Sequence, residues 1–428
     1  DFRRIKINLI RQNSSTGVAK GQIVVGLDIG TNTMKALVVL NKGKGWEVLC
    51  YQQMLSFGLR RGAVVNSEET AKNIQLLMSG IERDCGRKIK SVFVNIGGSH
   101  LHIAPSDGLI SVSRADHIIS QEDIDRVLQA TRAINIPSNE EILEVFPREF
   151  IVDDQKGIKQ PLGLTGVRLE AKVILLCYFQ SYYTNLAQSV FNAKLQIDDI
   201  VPSPLAAAKS VLTRQQKEVG VALIDIGATT TSLAVFEEGE LIHFAVFPLG
   251  SANITNDIAI GLKTEVFIAE DIKKQYGSCM MPKNEKGSQS KKKIEIVDEA
   301  HSLSFTKKQL VNIIEPRVSE ILDLMQKELK SIGRQELLPG GIVLTGGGAK
   351  LPKIKELVKE QLNLPCQIGI PKGIMGLEED PALATVSGLV LEGVDFDATD
   401  KDGLWDTIFG PIKELLLKLK KMFKVFVP

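Results

Sequence analysis

The sequence predicts an α/β protein of two duplicated lobes around a shared cleft, with a small α+β subdomain inserted. Three observations predict this. Two matched Asp-x-Gly turns lie far apart in β-branched surroundings, a strand–Gly-Gly-Gly–helix element follows both, and a stretch of different character separates the two turns.

The first turn sits in Val24-Val25-Gly26-Leu27-Asp28-Ile29-Gly30-Thr31-Asn32-Thr33 and the second in Val221-Ala222-Leu223-Ile224-Asp225-Ile226-Gly227-Ala228-Thr229-Thr230. Each is a β-branched run, a tight turn with small hydroxylated residues, and a return to an apolar run at Ala36–Leu40 or Ser232–Phe236, which reads as a hairpin. Asp28 and Asp225 are 197 residues apart, a spacing for duplicated domains rather than a short-repeat solenoid. In the third signal, Ile342-Val343-Leu344 reads as a buried strand, Gly346-Gly347-Gly348 as a turn, and Leu351–Leu362 as an amphipathic helix.

Between the repeats, Ser91–Ile96 and Ile142–Asp153 read as strands. Ser120 with Asp123 three residues on reads as a capped start to a helix with an apolar face at Ile124, Val127, Leu128 and Ile134. The predicted order along the chain follows. A flexible tail occupies 1–21 and the first lobe 22–86. The insertion takes 87–170, and the first lobe resumes over 171–216. The second lobe runs over 217–250, a smaller part of it over 251–310, and its remainder over 311–369. A closing segment at 370–394 returns to the first lobe. A polar, lysine-rich mobile loop is expected at 277–293 and an acidic linker at 395–403, with an amphipathic helix over 404–428.

Composition limits the function classes. Lys+Arg (52) almost cancels Asp+Glu (51), so no global footprint for nucleic acid exists and none is expected as a partner. The five cysteines form no CxxC pair, which argues against a zinc site or a disulfide framework. No apolar run approaches the length that spans a bilayer.

Three glycine turns are the chemistry a phosphate chain needs, because converging backbone N–H groups satisfy its oxygens and glycine allows close approach. Gly30, Thr31, Asn32 and Thr33 from one turn and Gly227, Ala228, Thr229 and Thr230 from the other supply such groups, with Thr231 a further hydroxyl. Asp28 and Asp225 end strands, where a carboxylate holds Mg²⁺ through its waters. Lys35 offers a positive charge, and Glu270 with Lys273 or Lys274 shares a helix face suited to ribose and adenine. Gly346, Gly347, Gly348 and Ala349 form a strand-end turn into which a nucleoside slots. Any one of these alone is an ordinary hairpin, connector or solvated helix face. The ordered conjunction is specific, and it predicts ATP with Mg²⁺.

This set of motifs resembles the actin/Hsp70/sugar-kinase ATPase superfamily over about residues 22–394. The resemblance implies that the hairpins are phosphate loops, that Asp28 and Asp225 lie near magnesium, and that Gly346–Ala349 meets adenosine. Asp225 is the one candidate for a catalytic role. No residue matches the polar group that orients an attacking water in such ATPases, so at most slow hydrolysis is expected.

The C-terminal segment narrows the resemblance. Trp405, Ile408, Phe409, Ile412, Leu416, Leu419, Phe423 and Phe426 fall on one stripe, with Lys413, Lys418, Lys420, Lys421 and Lys424 beside it. A helix over Pro411–Phe426 is about 24 Å long, too short to cross a bilayer but suited to the headgroup boundary of an anionic membrane. With Leu344-Thr345-Gly346-Gly347-Gly348-Ala349-Lys350-Leu351-Pro352 and the inserted subdomain, the chain resembles FtsA, the family of bacterial actin-like cell-division proteins. That resemblance implies protofilaments of the chain with itself on the cytoplasmic face of the inner membrane at the division site. It also implies a second lobe that takes the C-terminal tail of FtsZ, and binding of later division proteins. The N-terminal extension and the lysine-rich loop depart from the pattern. A PilM-like adaptor of type IV pilus systems is the alternative within the superfamily, and a small-molecule kinase the alternative from another functional class.

Overall fold

A computed structural model describes residues 22–42, 45–281, 293–297 and 302–400. The expected N-terminal tail, most of the lysine-rich loop and the amphipathic helix lie outside the described residues.

The first lobe begins with β1 (Ile23–Ile29), β2 (Thr33–Asn41) and β3 (Trp46–Leu55), an antiparallel meander. A small hairpin of β4 (Leu59–Arg60) and β5 (Ala63–Val64) leads into α1 (Ser67–Cys85), capped by Asn66 and ended by Gly86 in the left-handed conformation. Then β6 (Ser91–Ile96) pairs in parallel with β1. The insertion follows, made of β7 (His102–Ser111), α2 (Gln121–Thr131), β8 (Glu140–Val152), β9 (Gln155–Ile158) and β10 (Arg168–Phe179). Its sheet has the order β7-β10-β8-β9, and Val127 of α2 packs with Phe150, Leu169 and Val173 in a core of its own. Ser120 and Asp123 form the capping box.

Two boundaries differ from expectation. Ser91–Ile96 is an inner strand of the first lobe's sheet rather than the start of the insertion, because its side chains are buried on both faces. The insertion's last strand runs on to Phe179, where pairing with β8 ends.

The chain returns through α3 (Gln180–Asn192), β11 (Gln196–Pro202), α4 (Ser203–Val211) and α5 (Arg214–Val219). The second lobe repeats the plan with β12 (Val221–Ile226), β13 (Thr231–Glu237), β14 (Glu240–Phe247), α6 (Ser251–Leu262) and α7 (Val266–Tyr276). A hairpin of β15 (Lys293–Val297) and β16 (Ser302–Thr306) precedes α8 (Lys307–Ser331), so the boundary expected at 310 falls inside one continuous helix. The lobe ends with β17 (Ile342–Thr345), α9 (Ile354–Leu362) and β18 (Cys366–Ile368), and α10 (Ala384–Asp400) closes the chain's described part.

The two five-stranded sheets are the same object. One has the order β11-β6-β1-β2-β3 and the other β14-β13-β12-β17-β18, each a three-stranded antiparallel meander extended by two parallel strands. Alternation along β1 sends Val25, Leu27 and Ile29 to α1 and Val24 to α10. Helix α4 lies between the lobes, with Ala207, Ala208 and Val211 in one core with Leu223 and Ala234 of the second sheet. On its other side α10 approaches closely at Gly388, where a Cβ would lie 1.7 Å from the Ala206 carbonyl oxygen.

Three further differences are local. Helix α9 starts at Ile354 instead of Leu351, because Lys353 is left-handed and Pro352 cannot extend a helix from its own N–H. The start of the lysine-rich loop is anchored, since Cys279 is buried and its N–H donates to the Pro352 carbonyl at 2.8 Å. The acidic stretch read as a linker continues α10 to Asp400, and Lys209 holds Glu392 and Asp395 of that helix at 2.6 and 2.7 Å.

Candidate functional site

The turns of the two sheets meet across a cleft of about 660 Å³, within the range of small-molecule sites. In the first hairpin, Asp28 pairs in register with Lys35 and Ile29 with Met34, leaving Gly30–Thr33 as the turn. In the second, Asp225 pairs with Ser232 and Ile226 with Thr231, leaving Gly227–Thr230. Both turns need glycine at the same place, since a Cβ would lie 2.8 Å from the Thr33 carbonyl at Gly30 and 3.0 Å from that of Thr230 at Gly227. The turns touch each other, with the Thr229 and Thr31 hydroxyl oxygens 3.1 Å apart.

Of the residues singled out from the sequence, Asp28, Gly30, Thr31, Asn32, Thr33, Lys35, Asp225, Gly227, Ala228, Thr230, Glu270, Lys273, Gly346, Gly347 and Gly348 line this one cleft. Thr229 makes the contact between lobes. Ala349 does not reach the wall; it is buried in the second lobe's core. Thr231 also turns away, because strand alternation points its hydroxyl at the Leu249 carbonyl, 2.9 Å away.

The matched aspartates have different surroundings. Asp28 is 5% exposed, and its two oxygens accept from Lys35 Nζ at 2.8 Å and Asn95 Nδ2 at 3.0 Å. Lys35 is therefore spent on Asp28. The Asp225 carboxylate, partly open to the cleft, accepts no hydrogen bond among the described residues. Burial and the nearby Asp28 charge push its carboxyl up to about 6 from 3.8, against the pull of Lys35.

The helix face on α7 is also paired internally. Lys273 Nζ lies 2.7 Å from Glu270 Oε2 and donates to Thr255 Oγ1 at 2.7 Å and to the Ser251 carbonyl at 3.0 Å. Burial holds the Lys273 ammonium below its ordinary range in spite of Glu270. Lys274, by contrast, is mostly exposed and 3.3 Å from Glu270. Together these groups make a rigid polar wall beside the start of α6, whose first N–H groups donate to the Gly227 and Ala228 carbonyls.

The Gly-Gly-Gly turn has three distinct glycines. Gly346 has φ +83°, and its missing Cβ would lie 2.2 Å from Asp225 Oδ1. Gly348 packs on Ile226, a Cβ there falling 2.3 Å from Cγ2. At Gly347 nothing lies within 4 Å of the Cβ position, so its bare face is open space at the cleft wall.

Sequence reasoning passed over Asn95, Gly97, Gly98 and Ser203, all of which line the cleft. Asn95 is an isolated polar residue in the apolar run Val92–Ile96, followed by two glycines, and that was the readable signal. Ser203 had none, because only β11 and α4 bring it there.

Comparisons with known proteins agree with this architecture. The family model "Cell division protein FtsA" matches residues 222–388, and the model "SHS2 domain inserted in FTSA" matches residues 98–177. The cell division protein FtsA of Pseudomonas aeruginosa is 36% identical over 397 residues, covering 92% of this chain and 94% of that protein. That of Bacillus subtilis is 35% identical over 86% of this chain and 83% of its own length. Among solved structures, a PilM–PilN type IV pilus biogenesis complex superposes with TM-score 0.64 at 18% identity, covering 87% of this chain and 98% of that one. MreB5 of Spiroplasma citri bound to ADP superposes with TM-score 0.54 at 16% identity, over 90% and 98% of the two chains. At such identities the structural matches speak for the fold alone, an actin-like one, and do not favour the PilM-like alternative. Sequence identity across most of the chain does discriminate, and by it the chain belongs to the FtsA family of bacterial cell-division proteins.

Proposed function

We propose that this cell-division protein binds ATP with Mg²⁺ between its lobes, assembles with itself on the membrane, and tethers FtsZ there. The observation that carries the nucleotide reading is the 3.1 Å contact of Thr31 with Thr229, which sets two equivalent glycine turns face to face in one cleft. The residues fit the ligand. Among the described residues, no atom fills the bare face left by Gly347, and none donates to the Asp225 carboxylate beside Asp28. Gly30, Thr31, Gly227 and Thr230 would hold phosphate oxygens by N–H and hydroxyl groups, Asp28 and Asp225 would hold magnesium through water, and Gly346–Gly348 would take the nucleoside. Bound in this way, the magnesium–triphosphate would supply a charged ligand that both lobes hold at once. MreB5 of Spiroplasma citri, which shares the actin-like fold, was solved bound to ADP, and that is in keeping with a nucleotide as the ligand.

The membrane part of the reading rests on the stripe from Trp405 to Phe426 and its five lysines. No helix among the described residues is long and apolar enough to cross a membrane. The second lobe is the proposed seat of the FtsZ tail, and the inserted subdomain that of other division proteins.

Two measurements test these proposals. Photolabelling with an azido-ATP should occur in the unaltered chain and disappear in Asp225→Ala and Gly347→Asp; retained labelling in both variants rejects this pocket. Co-sedimentation with anionic liposomes and ATP should pellet the full chain and leave a chain ending at Asp402 in solution. Equal pelleting of both rejects the membrane tether.

A further inference from the structure

We propose that Asn95 is a positioning residue of the cleft, holding the Asp28 carboxylate in the one orientation that suits a bound magnesium–nucleotide. This rests on the nucleotide reading above and adds a specific role for a residue outside the recognised turns.

The placement of Asn95 follows from the sheet. Gly26 and Leu27 of β1 face Phe93 and Val94 of β6, so the next residue of β6, Asn95, stands beside Asp28. On the other side Asn95 faces Val201 of β11, one residue before α4 is entered through Pro202 and Ser203. Asn95 therefore lies where three parallel strands finish at the cleft, the place where open α/β sheets take their ligands.

Its amide is used at both ends. Oδ1 accepts from the Ile29 N–H at 2.6 Å, and Nδ2 donates to Asp28 Oδ1 at 3.0 Å and to Ser203 Oγ at 3.0 Å. Ser203 in turn donates to the Ile96 carbonyl at 3.1 Å. With both ends fixed the amide cannot flip, because a reversed group would set N–H against N–H at Ile29 and oxygen against carboxylate at Asp28. Asn95 is 5% exposed, so its bonds to Ile29 and Asp28 are made away from bulk water, while those of Ser203 are half-buried at the cleft wall.

A side chain present only to fill the sheet needs neither a donor nor an acceptor. This one supplies both, and its donor is aimed at a carboxylate that already has Lys35 as counter-charge at 2.8 Å. Held at both oxygens, Asp28 keeps a fixed direction, whereas Asp225 has no such clamp. The same clamp links Asp28 to the start of α4, the helix shared by the two lobes.

The variant that isolates this role is Asn95→Asp. It keeps the shape and the acceptor for the Ile29 N–H, but replaces the donor to Asp28 by a second carboxylate. The full chain would be titrated with a fluorescent N-methylanthraniloyl-ATP, with magnesium and with a chelator, across the acid-to-neutral range; Asn95→Ser serves as a second variant that retains a small donor.

The expected result is an affinity for the magnesium–nucleotide reduced at least tenfold at neutral pH in Asn95→Asp. That loss, taken relative to the unaltered chain at each pH, should shrink as pH falls and the added carboxyl takes a proton that it can donate to Asp28. Asn95→Ser should lie between that variant and the unaltered chain, and binding in chelator should change much less than binding in magnesium. Equal losses with and without magnesium, or a loss that does not respond to pH, assign Asn95 a structural role and overturn the proposal. Unchanged affinity in both variants also overturns it while leaving the nucleotide reading intact. An unaltered chain that does not bind the probe overturns both.

Discussion

Thr31 and Thr229, from turns almost two hundred residues apart in sequence, bring their hydroxyl oxygens to 3.1 Å across the cleft, and Thr31 also accepts from the Gly62 N–H at 2.9 Å. The contact is a direct link between the lobes made by offset positions of a duplicated hairpin, since Thr31 matches Ala228 and Thr229 matches Asn32. A double-mutant cycle with Thr31→Val and Thr229→Val in the nucleotide-free chain should give a coupling of about 0.5–1.5 kcal/mol by denaturant unfolding. Strict additivity would mean that the two hydroxyls do not meet in solution.

The Gly-Gly-Gly turn should divide by position. Gly346→Ala requires a positive φ and places Cβ against Asp225 and the Ile226 carbonyl, so it should destabilise the chain by about 2–4 kcal/mol. Gly347→Val meets open space, so its melting temperature should stay near that of the unaltered chain while ATP-analogue binding is lost. Calorimetry of the two variants beside the binding titration decides this; a Gly347→Val protein that binds normally removes that turn from the nucleotide site.

Asp225 predicts a pH dependence of stability. Its carboxyl is raised from 3.8 to about 6, so the folded chain binds more protons than the unfolded one between those values. The group's contribution is favourable below that window and is lost as pH rises through about 6. Asp225→Asn removes the buried charge, so it should stabilise the nucleotide-free chain at neutral pH by on the order of 1 kcal/mol, after allowance for partial exposure. The gain should vanish below the window, and magnesium–nucleotide binding should weaken. Thermal melts across pH check the sign, and a destabilised variant at neutral pH contradicts it.

Lys273 and Lys274 are neighbours with opposite expectations. Lys273→Met strips Glu270, Thr255 and the Ser251 carbonyl of a buried partner and should cost about 2–4 kcal/mol. Lys274→Ala removes an exposed pair and should cost less than about 0.5 kcal/mol. Equal effects would mean that the ammonium of Lys273 is not the group holding α7 to α6.

The readable part of the site was the part that is local. Aspartate, glycine and threonine in a β-branched frame specify a hairpin from within ten residues, and two such frames specify a duplication. Turn chemistry and strand period act over a few residues, so they survive without any knowledge of neighbours. The helix on α7 was legible for the same reason, as a shared face of Glu270 and Lys273. That Lys273 is buried beneath Thr255 was not legible, because burial depends on what α6 brings to that face.

What the amino-acid order determined by itself was therefore the two lobes, the turns that could hold phosphate, and the family. Tertiary structure decided which strand neighbours which. It put β6 in the first lobe and not in the insertion, it brought Asn95 and Ser203 to Asp28, and it separated the twin aspartates into a clamped group and an unpartnered one. The physical reason is that desolvation and charge proximity, which set the character of a carboxylate, arise from groups far apart in sequence and exist only once the sheets have formed.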